Sequence, residues 1–321
     1  MYRQRDIAAL PTFIALDSST VLAGQRQGAS VQIDETYFSG QLRALDAFDR
    51  DTDESSNSSR GQRSRDLRES RRAYRSIEVD VDALTENDLW TASTQFRREL
   101  QRIPEISHLE RQYPGQCFVV PEWLYTGDRL HYGARVYFFQ DDGSATPKEV
   151  IQENIDAILS DSFPKFERYQ GGLHGYPDCC IDFYHERSSN APSPEWRSIE
   201  PFADRINDVA LGNDRSASVD DVLPRFSGWD DRYAFFAREF FPEPGCETAL
   251  TQGEAIFDSL SSEYPTPLIE DYFRLNFGYD YLVARAVHTG GTHRPVPGEL
   301  GEEHLMFYLP LRELLTLPRY L

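Results

Sequence analysis

The segment Gly175-Tyr176-Pro177-Asp178-Cys179-Cys180 sets two thiols side by side, directly after a proline suited to the first position of a helix. The unpaired amides and the dipole at such a helix start favour negative charge, so a thiolate is stabilised there. If the helix runs on, Cys179 stands over Phe183, Cys180 over Tyr184, and Asp182 shares a face with His185. His174 lies just before the turn. Cys246 repeats the arrangement, since Phe241-Pro242-Glu243-Pro244-Gly245 leads into a helical pattern that Cys246 opens. Two helix starts aimed at one spot would gather Cys179, Cys180, Cys246, His174 and His185, with Glu243 nearby. Thiolate and imidazole ligands suit zinc or iron. The spacing matches no standard zinc module, because there is neither C-x-x-C nor H-E-x-x-H. The competing reading is that these cysteines are small core residues.

This pattern, Gly175-Tyr176-Pro177-Asp178-Cys179-Cys180-Ile181 with Phe183 and a later proline-flanked Cys246, resembles the uncharacterised, largely archaeal domain-of-unknown-function family 483. The resemblance spans about residues 165–285. In related sequences a second cysteine often precedes the Cys246 equivalent, where this chain has Glu243 or Pro244. The resemblance implies a shared cysteine site and no particular reaction.

The elements that must position these groups follow from hydrophobic period and turn residues. The spacing predicts a helix over 86–103, with Leu89, Trp90, Phe96, Leu100 and Ile103 on one face. The segments 117–125 and 131–140 read as a β-hairpin, with Pro121 confining the first strand to an edge or a bulge. Thr146, Pro147 and Glu149 form a capping box for a helix reaching Ser160. Residues 188–228 read as irregular. Helices are expected at 229–241 and 246–261, and another from Thr266 that breaks or bends near Gly278 and stops at Gly290-Gly291. His288, His293 and His304 read as helix-end or surface residues. The fold class expected is α+β, mostly helical with a short antiparallel hairpin or small sheet. The domain reading is an ordered segment 1–48, a disordered insertion 49–75, and a main domain 76–321 carrying the cysteines.

Charge narrows the setting. The 321 residues carry 53 acidic and 33 basic side chains, net −20. Only Lys148 and Lys165 are lysines. An acidic, arginine-biased composition resembles that of haloarchaeal proteins, whose carboxylates stay hydrated where molar salt screens charge within about 3 Å. Four cysteines in a chain of this length make no disulfide framework, and all four are expected to be reduced in a cytoplasm. No apolar run is long enough for a membrane span. Walker, G-x-G-x-x-G and G-x-S-x-G motifs are absent, so nucleotide-driven and serine-hydrolase chemistry lack support.

One stretch opposes the acidic balance. Arg60, Arg63, Arg65, Arg68, Arg71, Arg72 and Arg75 face only Asp66 and Glu69, so seven positive charges less two give +5. Two functional readings result. In the first, a metal-activated water or a helix-activated thiolate at the cysteine site is the reactive group. In the second, the chain is a non-enzymatic factor whose arginine segment binds RNA or an acidic protein partner.

Overall fold

The computed structural model describes residues 7–48, 57–79, 81, 84–126, 129–141, 143–186, 191–206, 230–291 and 294–321. The chain forms two compact units. One is Arg26–Gly175; the other joins Ala8–Gln25 to Tyr176–Leu321. The boundary at Gly175–Tyr176 falls inside the segment 76–321.

The first unit contains β1 (Gly28–Ile33), α2 (Glu35–Phe48), α3 (Asn57–Arg75), α4 (Glu86–Leu100) and α5 (Pro104–Gln112). β2 (Cys117–Thr126), β3 (Arg129–Phe139), α6 (Pro147–Leu159) and α7 (Phe163–His174) complete it. The expected hairpin is present, and β1 joins it in an antiparallel sheet of order β1-β3-β2. Val136 of β3 faces Val31 on one side and Val119 on the other. Pro121 lies on β2, an edge strand, where its missing N–H costs the ladder least. Asn154 of α6 closes that edge, accepting the Trp123 N–H at 2.7 Å and donating to the Trp123 carbonyl at 3.0 Å. Leu89, Trp123, Tyr137, Phe139, Ile155 and Phe166 form the core over the sheet. The capping box at Thr146 and Glu149 forms as the sequence predicts.

The segment 49–75 departs from expectation. Residues 49–56 lie outside the described residues, but 57–75 form helix α3. Its inner face buries Ser64, Leu67 and Ser70, one turn apart, and Tyr74 meets the ring of Phe38 at 5.8 Å. Arg63 donates to Gln41 Oε1 at 2.8 Å, Arg60 donates to the Phe48 carbonyl, and Arg71 and Arg75 pair with Glu35. Arginine is a good helix former, and with Arg68 3.7 Å from Asp46, five of the seven arginines pair with α2.

The second unit begins with α1 (Thr12–Leu22) and continues through α8 (Asp178–His185) and α9 (Pro194–Ile206). A 3-10 turn at Asp230–Ala234, α10 (Glu247–Glu263), α11 (Thr266–His288), α12 (Glu302–Met306) and α13 (Leu311–Leu314) follow, with a last 3-10 turn at Pro318–Tyr320. Three expectations change here. Residues 194–206 are helical, because Ile199 and Phe202 bury a helix-spaced face; 187–190 and 207–229 lie outside the described residues. The helix expected over 229–241 reduces to the 3-10 turn, with residue 229 undescribed. Phe235, Phe236, Phe240 and Phe241 are all buried, Glu239 takes φ 60°, and Pro242 and Pro244 prevent a helical continuation. Finally, α11 runs unbroken through Gly278, which is itself buried, so the helix does not break there. Among the described residues no helix is long and apolar enough to cross a membrane.

Candidate metal centre

Gly175 ends α7 in the left-handed conformation at φ 69°, and a Cβ there would stand 3.0 Å from the Gln27 amide nitrogen. Only glycine meets both conditions without strain. Tyr176 then stacks on Phe240 at 4.3 Å, and Pro177 caps α8 rather than occupying its first turn. Asp178, Cys179 and Cys180 form that first turn, with the Cys180 and Ile181 amides donating to the Pro177 carbonyl at 3.0 Å.

The second thiol support is the turn 242–246. The Cys246 N–H donates to the Glu243 carbonyl at 3.0 Å, Gly245 takes φ 74°, and Cys246 is the N-cap of α10. Helix α9 holds this turn and α8 together. Ser198 Oγ donates to the Pro242 carbonyl at 2.6 Å, while Arg197 donates to the Phe183 and Glu186 carbonyls and lies 4.5 Å over the Phe183 ring. Sequence reasoning missed this clamp, having read the segment as irregular. Its signal was present in the helical spacing of Trp196, Ile199 and Phe202.

These supports bring three sulfurs together. The Sγ atoms of Cys179, Cys180 and Cys246 all lie within 4.8 Å of one another, and Cys179 Sγ is 3.0 Å from Cys246 Sγ. None is in a disulfide. Cys180 is buried, whereas Cys179 and Cys246 are partly exposed. Thiolates on a tetrahedral ion with bonds of about 2.3 Å sit about 3.8 Å apart, so the group has the scale of a coordination site. Three Cys donors favour a thiophilic cation over calcium or magnesium. The cluster can hold a metal ion.

The charges are unequal. Burial pushes the Cys179 thiol up, and its partner Cys246 adds to this. Burial pushes the Cys180 thiol up further. Burial acts upward on Cys246 as well, but the thiols of Cys179 and Cys180 and the amides of Ala249 and Thr248 outweigh it and hold Cys246 below the ordinary cysteine range. Those amides stand in the first turn of α10, where unpaired N–H groups favour negative charge. Cys246 is thus the most acidic of the three thiols, in contact with Cys179 at 3.0 Å.

The histidines lie elsewhere in their own units. His174 is the last residue of α7 in the first unit, buried and stacked on Tyr137 at 6.0 Å. Burial, with the charges of Arg26 and Arg135, holds it uncharged. His185 ends α8, about 9 Å along the helix from Cys179 at about 1.5 Å per residue, edge-on to Tyr184. Among the described residues the group within 4.8 Å contains the three thiols only. Cys117 is buried on β2 in the first unit. His288 stacks on Trp196 at 4.1 Å, His304 is buried rather than at the surface, and His293 lies outside the described residues. Of the arginine segment, Arg60, Arg63, Arg71 and Arg75 are engaged with α2, and Arg68, though exposed, lies 3.7 Å from Asp46 of α2, while Arg65 and Arg72 face solvent.

Comparison with protein-family models, with curated proteins and with solved structures found no match to the chain.

Proposed function

We propose that the chain is a metalloprotein in which Cys179, Cys180 and Cys246 bind one zinc or iron ion. The observation that carries this reading is the convergence of three sulfurs, from two helix starts, within 4.8 Å. A bound ion there would supply either a cross-link between α8 and α10 or, through a position not filled by cysteine, Lewis-acid chemistry. The residues prepare for it in distinct ways. Cys246 loses its proton most readily, and Cys179 and Cys180, held up by burial, lose theirs less readily, so binding as thiolates releases protons and tightens as pH rises. Reduced thiols at such a site suit a cytoplasmic setting, and the acidic composition supports a halophilic one. The motif around Cys179 and Cys180 supports membership of family 483. Titration with cobalt(II) tests the reading. Sulfur-to-metal charge-transfer absorption saturating at one equivalent is expected, and its absence would refute thiolate ligation.

A second reading is favoured by the outer face of α3. Arg65, Arg68 and Arg72 recur at helical spacing and are exposed on a chain of net charge −20, with Arg68 also 3.7 Å from Asp46. This stripe suits RNA or an acidic protein partner, and in that reading the cysteines are structural. Replacing the three arginines with glutamine should reduce RNA affinity and flatten its salt dependence.

A further inference from the structure

Of the three sulfurs, two differ from the third in both contact and access. Cys179 Sγ and Cys246 Sγ are 3.0 Å apart and partly exposed, whereas Cys180 is buried. The pair is 67 residues apart in sequence and sits on two different helix starts. A disulfide bond of about 2.05 Å needs the sulfurs to approach by only about 1 Å. On the Cys246 side, Glu243, Pro244 and Gly245 are all exposed, and nothing lies within 4 Å of where a Gly245 side chain would stand, so a shift of that size meets no packed neighbour there. The alternative pairing, Cys179 with Cys180, is opposed by covalent geometry. Consecutive Cα atoms are about 3.8 Å apart, below the disulfide range of about 4.4–6.8 Å.

We propose that Cys179 and Cys246 are an oxidation site, joined into a disulfide by a hydroperoxide and reopened by a dithiol. One of the two sulfurs attacks the peroxide oxygen; the O–O bond breaks, giving a sulfenic acid and, for hydrogen peroxide, hydroxide. The other sulfur attacks the sulfenic sulfur, the S–O bond breaks and water leaves. The sum consumes two thiols and one peroxide and yields one disulfide and two waters, so sulfur is oxidised as peroxide is reduced. A dithiol reverses the bond by exchange. Oxidation removes two of the three proposed ligands and leaves Cys180 alone, which releases the ion. Only this last step rests on the metal reading.

The test uses the full chain, metal-loaded and metal-free, each treated with one equivalent of hydrogen peroxide. Free thiols should fall from the four cysteines to two. Peptide mapping without reduction should join the peptide of Cys179 and Cys180 to that of Cys246. Cys180→Ala should keep the link and Cys179→Ala should lose it. A chromogenic chelator should register ion release in step with disulfide formation, reversed by dithiothreitol and added metal. A Cys179–Cys180 bond, sulfinic acid without a link, or loss of the link in Cys180→Ala would overturn the proposal. A chain that forms the link yet binds no metal overturns the metal reading alone. A chain that binds metal yet forms no link overturns this inference alone.

Discussion

Cys246 shows how one side chain takes its character from its neighbours. Its own burial disfavours charge, but two thiols and the amides of Ala249 and Thr248 reverse the balance. The proline-flanked entry to α10 was visible in sequence; the approach of Cys179 and Cys180, 66 to 67 residues earlier, was visible only as two similar helix starts. His304 makes the contrast. Nothing around residues 301–306 marks it as buried, yet burial and the charge of Arg238 push its pKa down to about 3. Its Nδ1 accepts from the Leu300 amide at 3.4 Å, so the neutral imidazole belongs to the fold. The unfolded chain binds this proton below its ordinary value of about 6.5, and the folded chain does not until about pH 3. His304 therefore lowers stability progressively as pH falls between those values, by up to about 1.4 kcal/mol per pH unit, and has no such effect above them. Urea unfolding across that range should show a flatter pH dependence in His304→Gln than in the parent. Parallel curves would exclude this role.

At the element scale, local signals were legible where side chain and backbone agree. The capping box at Thr146, the hairpin at 117–139 and the α10 entry needed no tertiary information. Elements whose burial is set by a distant partner were not legible. Helix α3 looked too polar to order, because a single Leu67 and arginines paired to Glu35 and Gln41 replace a continuous apolar stripe. Leu67→Ala should therefore cost about 2–5 kcal/mol in a denaturant titration, and deletion of 57–75 should lower Tm; an unchanged Tm would restore the linker reading. Helix α10 depends on a close approach of the same kind. A Cβ at Gly253 would stand 1.7 Å from the Tyr233 carbonyl oxygen, which is backbone and cannot step aside. Gly253→Ala should destabilise by about 1–3 kcal/mol despite its higher helix propensity. A stabilised variant would show that the 3-10 turn at Asp230–Ala234 is free to move.

For the whole molecule, the residue pattern indicated a mostly helical class with a small sheet but not the partition of the chain. Net charge −20 and near-absence of lysine describe a surface, whereas the boundary at Gly175–Tyr176 depends on which helices share a core. His174 ends α7 in the first unit, and Cys179, Cys180 and Cys246 belong to the second. What remains in the second unit is a site of three thiols whose positions α8, α9 and the 242–246 turn all fix. Its metal content is the most direct test of the account. Protein purified under reducing conditions without added chelator should carry close to one equivalent of zinc or iron. Cys246→Ala should lose most of it, and Cys117→Ala should keep it. Equal metal content in the parent and in Cys246→Ala would contradict the assignment.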